Sequence, residues 1–592
     1  MSESESVRTS KWIWIGLAVV VALGAYLRAY DLGGPSFDQD ELYAVRITGL
    51  SPKTLASVIA RDGLKTNHPP LMTVPFLLWT ALFGTSEAAV RALPCLAGVL
   101  AIPVVFRLGQ KLSGPRAGLI AAVVLAINPL HITYSQEARQ YAVLVLLVAI
   151  SHLLMLKCLS RGKWYDLLAY LAVSTVALLT HYFAAPALLS HLAIGVWLLL
   201  SRDVVGRAAG LRLITTLGLA GLSLAAWLPM AGYQSTMKWG HLTEVSPGGM
   251  GESFGQLAGV GWPGAWIYVA AAVVGWMMLF GVYVHTSPQR EQGEDQAPLL
   301  ARRACEVGPL PRWFGFIACL SGILAIVGSL TVIPAKLFPI ARKALENYQY
   351  DAATIDTELN VIASTFLGYS IAFTLFGLVI AFWRPVAERV VRLLGKIAFV
   401  ARPLSSGVVV AALIAVPFLI VGTAALLGIP VFSVRNMIVV GPAVAVGLGI
   451  TGEALLQRSW SGRIVFAIFA ALVIGGVTRY ETVTAPFGVP GGPRLGLDTP
   501  DWKAVVAALP PELPIVVVNH PTTDPLLHYA ANRSPIRVKA EGPFDKLPPR
   551  FVYVHWPSRA DSTAVLSALK KQGCKVESER EVGELRVLVL LR

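Results

Sequence analysis

Charged side chains are scarce in this chain of 592 residues. Asp, Glu, Lys and Arg together make up 14%, where an ordinary soluble domain carries roughly 25%, and the mean hydropathy is +0.62. That deficit excludes a string of soluble domains, and it equally excludes intrinsic disorder, which needs high charge and low hydrophobicity. Cysteine is scarce too. Cys95, Cys158, Cys305, Cys319 and Cys574 show no paired spacing, so neither a disulfide framework nor a cysteine zinc site follows. Short strands of alternating polarity are missing, which excludes a porin-type barrel. Acids are outnumbered, 35 against 49 basic residues, for a net charge of +14. In so apolar a chain that excess reads as the Lys and Arg of cytoplasmic loops, not as a nucleic-acid surface.

What the chain has in abundance is long apolar runs. One at 12–30 follows a short polar start with Arg8 and Lys11 and has no clean small-residue cleavage site, so it reads as a retained first span with a cytoplasmic N-terminus. Others of bilayer-crossing length lie near 91–109, 117–133, 140–158, 164–180, 184–201, 211–229, 265–285, 313–333, 362–383, 406–428, 431–452 and 463–478. The expected fold class is mainly α, a polytopic membrane protein with about thirteen transmembrane helices. The run 71–83 is too short and carries Pro75, so it reads as an interfacial or re-entrant helix on the outer face. That choice puts the basic loops on one side, from Arg107/Lys111/Arg116 to Arg458/Arg463. It places the C-terminus outside. Segments 31–90, 230–264 and 334–361 are then outward, and 286–300 is a polar cytoplasmic loop.

After about 480 the pattern changes. Pro and Gly punctuate Phe487 to Pro493, strand-like runs follow at Ile515–Val518, Phe551–His555 and Leu585–Leu591, and helical stretches lie at 501–509 and 561–571. The expected division is a membrane domain over 1–480, with interfacial helices in its first outward loop 31–90, and a small α/β extracytoplasmic domain over 481–592.

Chemistry-bearing residues gather on the outward side. The first loop holds Phe37-Asp38-Gln39-Asp40-Glu41. Asp38 and Glu41 have the spacing of a capping box that starts a helix over 39–50. That local role leaves Asp40 unused, and an acid here suits a general base. Asn67-His68-Pro69-Pro70-Leu71 opens the short helix, where Pro is a start signal and His68 shares the face of Asp40. Tyr134-Ser135-Gln136-Glu137-Ala138-Arg139-Gln140-Tyr141 sits at an outward junction, where Arg139 is either a snorkelling anchor or a phosphate clamp. Thr180-His181-Tyr182 and Phe432-Ser433-Val434-Arg435-Asn436 fall at outward junctions too. The set suits a reaction on an anionic lipid headgroup, and it equally suits an anion transporter.

At these motifs the chain resembles the C-type glycosyltransferases, multi-span enzymes that take sugar from a polyprenyl-phosphate carrier, and among them the bacterial relatives of protein O-mannosyltransferase and lipid A aminoarabinose transferase. Asp40-Glu41 resembles the acidic pair of their first periplasmic loop, His68-Pro69-Pro70-Leu71 their His/Lys-Pro-Pro-Leu element, and Ser135 to Tyr141 their Ser-Gln-Glu-Ala-Arg-x-Tyr stretch. Arg435 resembles an Arg of their late loop, here followed by Asn436 where many carry Tyr, and Pro500-Asp501-Trp502-Lys503 the opening of their C-terminal domain. Asn67 stands where an acid is common.

The resemblance implies a bacterial inner-membrane enzyme that moves a sugar from a polyprenyl-phosphate donor to a hydroxyl of a glycan, lipid or protein. It implies an inverting step with Asp40 as base among the acids Asp38, Asp40 and Glu41, and with His68, Arg139, Tyr141, His181 and Arg435 on the donor's phosphate and sugar. Aminoarabinose, mannose, arabinose and galactose all fit. No cofactor is certain and a divalent metal stays open, with no His/Asp cluster of ligand spacing evident. The rival reading is a transporter or flippase of an anionic lipid-linked substrate. Such proteins carry ionisable residues at mid-membrane and repeated halves, whereas these acids lie in a loop and no repeat is apparent. A scaffold that merely displays the tail leaves the outward acids and arginines without a purpose.

Overall fold

The computed structural model describes residues 3–48, 68–235, 312–332, 356–375, 405–467 and 501–592, with short interruptions, and a few isolated positions elsewhere. The expected span 265–285, the loop 286–300, the outward segment 334–361 up to 355, nearly all of 230–264, most of 463–478, the punctuated stretch 487–493 and Asn67 lie outside the described residues.

The helices of the membrane domain follow the apolar runs. They are α1 (Glu3–Ala29), α2 (Gln39–Thr48), α3 (Thr73–Phe83), α4 (Glu87–Leu112), α5 (Pro115–Ile127), α6 (Pro129–Ser135), α7 (Tyr141–Ser160), α8 (Trp164–Thr180), α9 (Ala184–Leu199), α10 (Val204–Ala226) and α11 (Leu228–Ser235). Further along come α12 (Arg312–Val332), α13 (Leu359–Leu375), α14 (Ser406–Leu426), α15 (Val434–Met437) and α16 (Gly441–Leu456). Among the described residues six helices are long and apolar enough to cross a membrane, or seven if the bent pair α5–α6 counts as one span. Helices α8, α9 and α13 are apolar but shorter. The chain is a multi-pass membrane protein, and the count of thirteen is matched only in part.

The run 117–133 is not one straight helix. It breaks by 61° between α5 and α6, at Asn128-Pro129. Asn128 caps α6 by accepting the His131 N–H at 2.9 Å, and Pro129 takes the first helical position, which needs no N–H. The carbonyls at the break are met by Arg28 of α1, fully buried, which donates to Leu125 O at 3.0 Å and Ala126 O at 2.8 Å and faces His131 Nδ1 at 2.7 Å. A break within an apolar helix pair is tolerated when its backbone groups are met in this way. Helices α4 and α5 pack through glycines: a Cβ on Gly109 would lie 2.9 Å from Gly118 Cα, so both positions need the smallest residue.

The tail is a five-stranded sheet in the order β2-β1-β3-β5-β4, built from β1 (Ile515–Val518), β2 (Ile536–Val538), β3 (Arg550–His555), β4 (Lys575–Val582) and β5 (Leu585–Leu591). β1 pairs in parallel with β2 and β3; β5 runs antiparallel to β3 and β4. Alternate residues feed two cores, as the two-residue period of a strand requires. Val516, Phe551, Tyr553, Leu588 and Leu590 pack with Val565 and Leu569 of α19 (Ala560–Lys571). Ile515, Val517, Val552, Val587 and Val589 pack on the other face with Trp502 and Val505 of α17 (Trp502–Ala508). α18 (Asp524–Tyr529) lies on that second face through Leu526.

Candidate active site

The candidate site is built from the first loop upward. Asp38 and Glu41 form the reciprocal capping box that their spacing suggests: the Glu41 N–H donates to Asp38 Oδ1 at 2.6 Å and the Asp38 N–H to Glu41 Oε2 at 3.1 Å. Glu41 is fully buried against Arg91 of α4, which donates from Nε to Oε1 and from Nη2 to Oε2, both at 2.7 Å. Arg91 is also fully buried and donates to the carbonyls of Leu32, Pro35 and Ser36. Glu41 Oε1 accepts the Ala138 N–H at 2.8 Å. One bidentate pair therefore binds the loop 32–41, α4 and the segment between α6 and α7 into a single unit.

That unit presents Asp40 to solvent. Its side chain is 41% exposed, and two guanidiniums approach the same Oδ2, Arg139 Nη2 at 3.9 Å and Arg435 Nη1 at 3.6 Å. Both distances exceed a hydrogen bond, so these are loose ion pairs. Arg139 Nη1 also donates to Asp40 O at 3.3 Å. Arg435 comes from α15, distant in sequence from Asp40, and helix packing brings it there.

Behind the arginines lies a row of rings. His68 faces His181 with centroids 5.2 Å apart, His181 faces Tyr141 at 5.6 Å, and Tyr141 faces Tyr134 at 4.9 Å. Burial, reinforced by the neighbouring Arg139, holds both imidazoles neutral: His68 lies well below its usual range and His181 is lowered to about 3. The tautomer of His68 follows from its partners. Arg139 Nη2, which can only donate, lies 3.2 Å from Nε2, so the proton sits on Nδ1. The Gln140 carboxamide is 3.3 Å from Nδ1, and it serves that proton when its oxygen is turned toward the ring. Gln234 Nε2 donates to His68 O at 3.0 Å, and Gln234 in turn takes the Tyr182 hydroxyl, which accepts from Trp227 Nε1 at 3.0 Å.

Two buried carboxyls complete the rim. Burial first, then the nearby acids, raise Asp38 to about 7 and push Glu137 well above the carboxylate range. Asp38 Oδ2 and Glu137 Oε2 make no hydrogen bond among the described residues. No group of three or more His, Cys, Asp or Glu able to hold a metal ion occurs among the described residues.

The structure thus brings together every expected site residue: Asp38, Asp40, Glu41, His68, Arg139, Tyr141, His181 and Arg435. Sequence reasoning missed Arg91, which opens the apolar run 91–109 and was hidden as its flank, and Gln234, which nothing in its surroundings distinguishes. The arrangement offers a carboxylate open to solvent, two positive charges beside it, and a neutral aromatic wall. It can accept a proton and stabilise an anionic leaving group.

Three solved structures are similar in outline. Crystal structures of ArnT from Cupriavidus metallidurans, in the apo state and bound to undecaprenyl phosphate, match at 14% and 15% identity with TM-scores of 0.36 and 0.32, each covering 98% of this chain and 98% of that one. The oligosaccharyltransferase of Archaeoglobus fulgidus tethered to an acceptor peptide matches at 14% identity and a TM-score of 0.30, over 95% of this chain and 69% of that one. Scores this low carry no argument about function. No curated protein matches the chain. The match that does carry weight is to a family model described as dolichyl-phosphate-mannose-protein mannosyltransferase, over residues 67–229. It spans His68, Arg139, Tyr141 and His181 and stops short of Asp40 and Arg435. Residues 67–229 are therefore similar to the dolichyl-phosphate-mannose-protein mannosyltransferase family.

Proposed function

We propose that the protein is a glycosyltransferase that moves a sugar from a polyprenyl-phosphate-linked donor to an acceptor hydroxyl at the outer face of the bacterial cytoplasmic membrane. The N-terminus lies inside and the C-terminal domain outside. The observation that carries this reading is the convergence of Arg139 and Arg435 on the solvent-reaching carboxylate of Asp40. A lipid-linked phosphate needs cationic charge at the membrane rim, and an acceptor hydroxyl needs a base beside it.

Asp40 takes the proton of the acceptor hydroxyl. The oxygen attacks the anomeric carbon from the face opposite the phosphate, the carbon–oxygen bond to the phosphate breaks, and the electron pair leaves on the polyprenyl phosphate. The sugar is transferred with inversion. Negative charge on the leaving phosphate grows through the transition state, and guanidiniums already in place stabilise it without reorganisation. The long Arg–Asp40 distances support this role, because they leave N–H groups available to a phosphate. His68, His181 and Tyr141 form a neutral wall for the sugar. Asp38 and Glu41 act through Asp40: Glu41 has both oxygens engaged by Arg91 and two backbone N–H groups, and Asp38 caps α2. They are positioning residues, not bases.

The test is release of polyprenyl phosphate by the purified protein from a series of polyprenyl-phosphate sugars. Arg139→Met and Arg435→Met are each expected to lower kcat by about 10²–10³-fold, the cost of losing one preorganised donor. Movement of the intact donor across a liposome bilayer, with no sugar transferred, would overturn the reading in favour of a flippase.

A further inference from the structure

The Asp501-Trp502-Lys503 stretch takes no part in the reaction above, yet it touches the loop that carries Asp40. Trp502 is buried in the tail's core. Its two neighbours point the other way. Asp501 caps α17 through Oδ1 to the Ala504 N–H and, with the same oxygen, accepts the Ser36 hydroxyl at 3.0 Å. The Lys503 N–H donates to Ser36 Oγ at 3.1 Å, and its ammonium donates to Gly33 O at 3.1 Å and Gly34 O at 3.3 Å. The same ammonium meets Glu87 Oε1, at the start of α4, at 2.8 Å.

Tyr529, at the end of α18, closes the arrangement. Its hydroxyl accepts the Phe37 N–H at 2.8 Å and donates to Glu87 Oε1 at 2.8 Å, and His528 packs edge-on against Phe37. The loop 32–37 is thereby clamped from two sides. Arg91 holds the carbonyls of Leu32, Pro35 and Ser36 from within the membrane domain, and Lys503, Asp501 and Tyr529 hold the carbonyls of Gly33 and Gly34, the Ser36 hydroxyl and the Phe37 N–H from the tail. Phe37 is the residue before the Asp38 cap, and Asp40 lies two residues past that cap on the first turn of α2.

We infer that the C-terminal domain is a built-in positioning element for the catalytic loop, with Lys503 and Tyr529 as positioning residues that fix the direction of Asp40. This rests on the transferase reading above. A base must be held to within a fraction of an ångström of its target, and a loop with two consecutive glycines, Gly33 and Gly34, does not supply that rigidity by itself. The tail supplies it through side chains whose own positions are set by the Trp502 core. The tail therefore serves the rate of the chemical step and is not needed for holding the donor.

The test uses the full chain with Lys503→Met and Tyr529→Phe, singly and together. The double variant is expected to lower kcat about tenfold or more while the donor KM stays within about twofold, the split expected when an interaction matters only in the transition state. Lys503→Arg should recover part of the loss. Glu87→Gln, which leaves the tail's sequence intact, should move kcat in the same direction by less. In parallel, amide hydrogen exchange on the same proteins should quicken over residues 36–42 with the strands 550–555 and 585–591 still protected. Wild-type kcat in the double variant, or a loss confined to donor KM, overturns the inference. Should the wild-type protein transfer no sugar at all, the transferase reading fails, and the exchange experiment still decides the latch: unchanged exchange over 36–42 in the double variant refutes it.

Discussion

Glu41 is the residue whose role the structure makes most testable. It sits one position from Asp40 in the same acidic run, yet its carboxylate is fully buried and engaged twice by Arg91 at 2.7 Å. Glu41→Gln removes the charge and replaces one acceptor oxygen by an NH2 group that must face a donor, either Arg91 or a backbone N–H of Asp38 or Ala138. Breaking a buried pair by removing one partner costs about 3–5 kcal/mol, against a total stability of about 5–15 kcal/mol for a typical domain. The folded-to-unfolded ratio of the rim should drop by roughly two to three and a half decades. Thermal unfolding in detergent, followed by tryptophan fluorescence, should show a markedly lower midpoint for Glu41→Gln. The double substitution Glu41→Met with Arg91→Met should regain much of it, since a packed apolar pair often replaces a buried ion pair at little cost. Asp40→Asn, at a half-exposed position, should leave the midpoint nearly unchanged. A Glu41→Gln protein with a wild-type midpoint and no transferase activity would contradict a structural role and make Glu41 the base.

The titrating groups give opposite pH dependences. Asp38 is raised from 3.8 to about 7, so the fold binds the extra proton; the stability this group contributes is complete below about 3.8 and is lost as pH rises through 7. Asp38→Asn keeps an oxygen for the Glu41 N–H and abolishes that loss, so its thermal midpoint should fall less than that of the wild type between pH 4 and 7. His181 is lowered from 6.5 to about 3, so its contribution is complete above about 6.5 and is lost on acidification toward 3. His181→Phe should flatten that acid limb; an unchanged limb would show that other groups set it. Arg435→Lys keeps the charge and gives up the planar fork, and should lower kcat more than it raises the donor KM in a transfer assay.

How far the sequence revealed the molecule depended on how local the physics was. The tail's strands at 515–518, 551–555 and 585–591 were legible because β-branched runs such as Ile515 to Val518 bury both faces of a central strand. The capping box was legible because it closes over three residues. The break at Asn128-Pro129 was written in the chain as a cap followed by Pro, but the apolar run across it hid the bend. Arg28 and Arg91 were hard to read for the opposite reason: each lies in or at the edge of an apolar run, and its partners, the carbonyls of Leu125 and Ala126 or the carboxylate of Glu41, are distant in sequence. The meeting of Asp40 with Arg435 is a property of how the helices pack, and no local pattern encodes it. Lys503 and Tyr529 were legible only as members of the tail, because their contacts with Gly33, Phe37 and Glu87 cross between domains.

The central claim is that Asp40 takes the acceptor's proton while Arg139 and Arg435 receive the leaving phosphate. Its most direct test is a single-turnover transfer from a polyprenyl-phosphate sugar to an acceptor hydroxyl, comparing wild type with Asp40→Asn at matched thermal midpoints. The account predicts a rate lower by about 10²–10⁴-fold, the usual worth of a positioned general base, with donor binding retained. A folded Asp40→Asn protein that transfers sugar at the wild-type rate would contradict it.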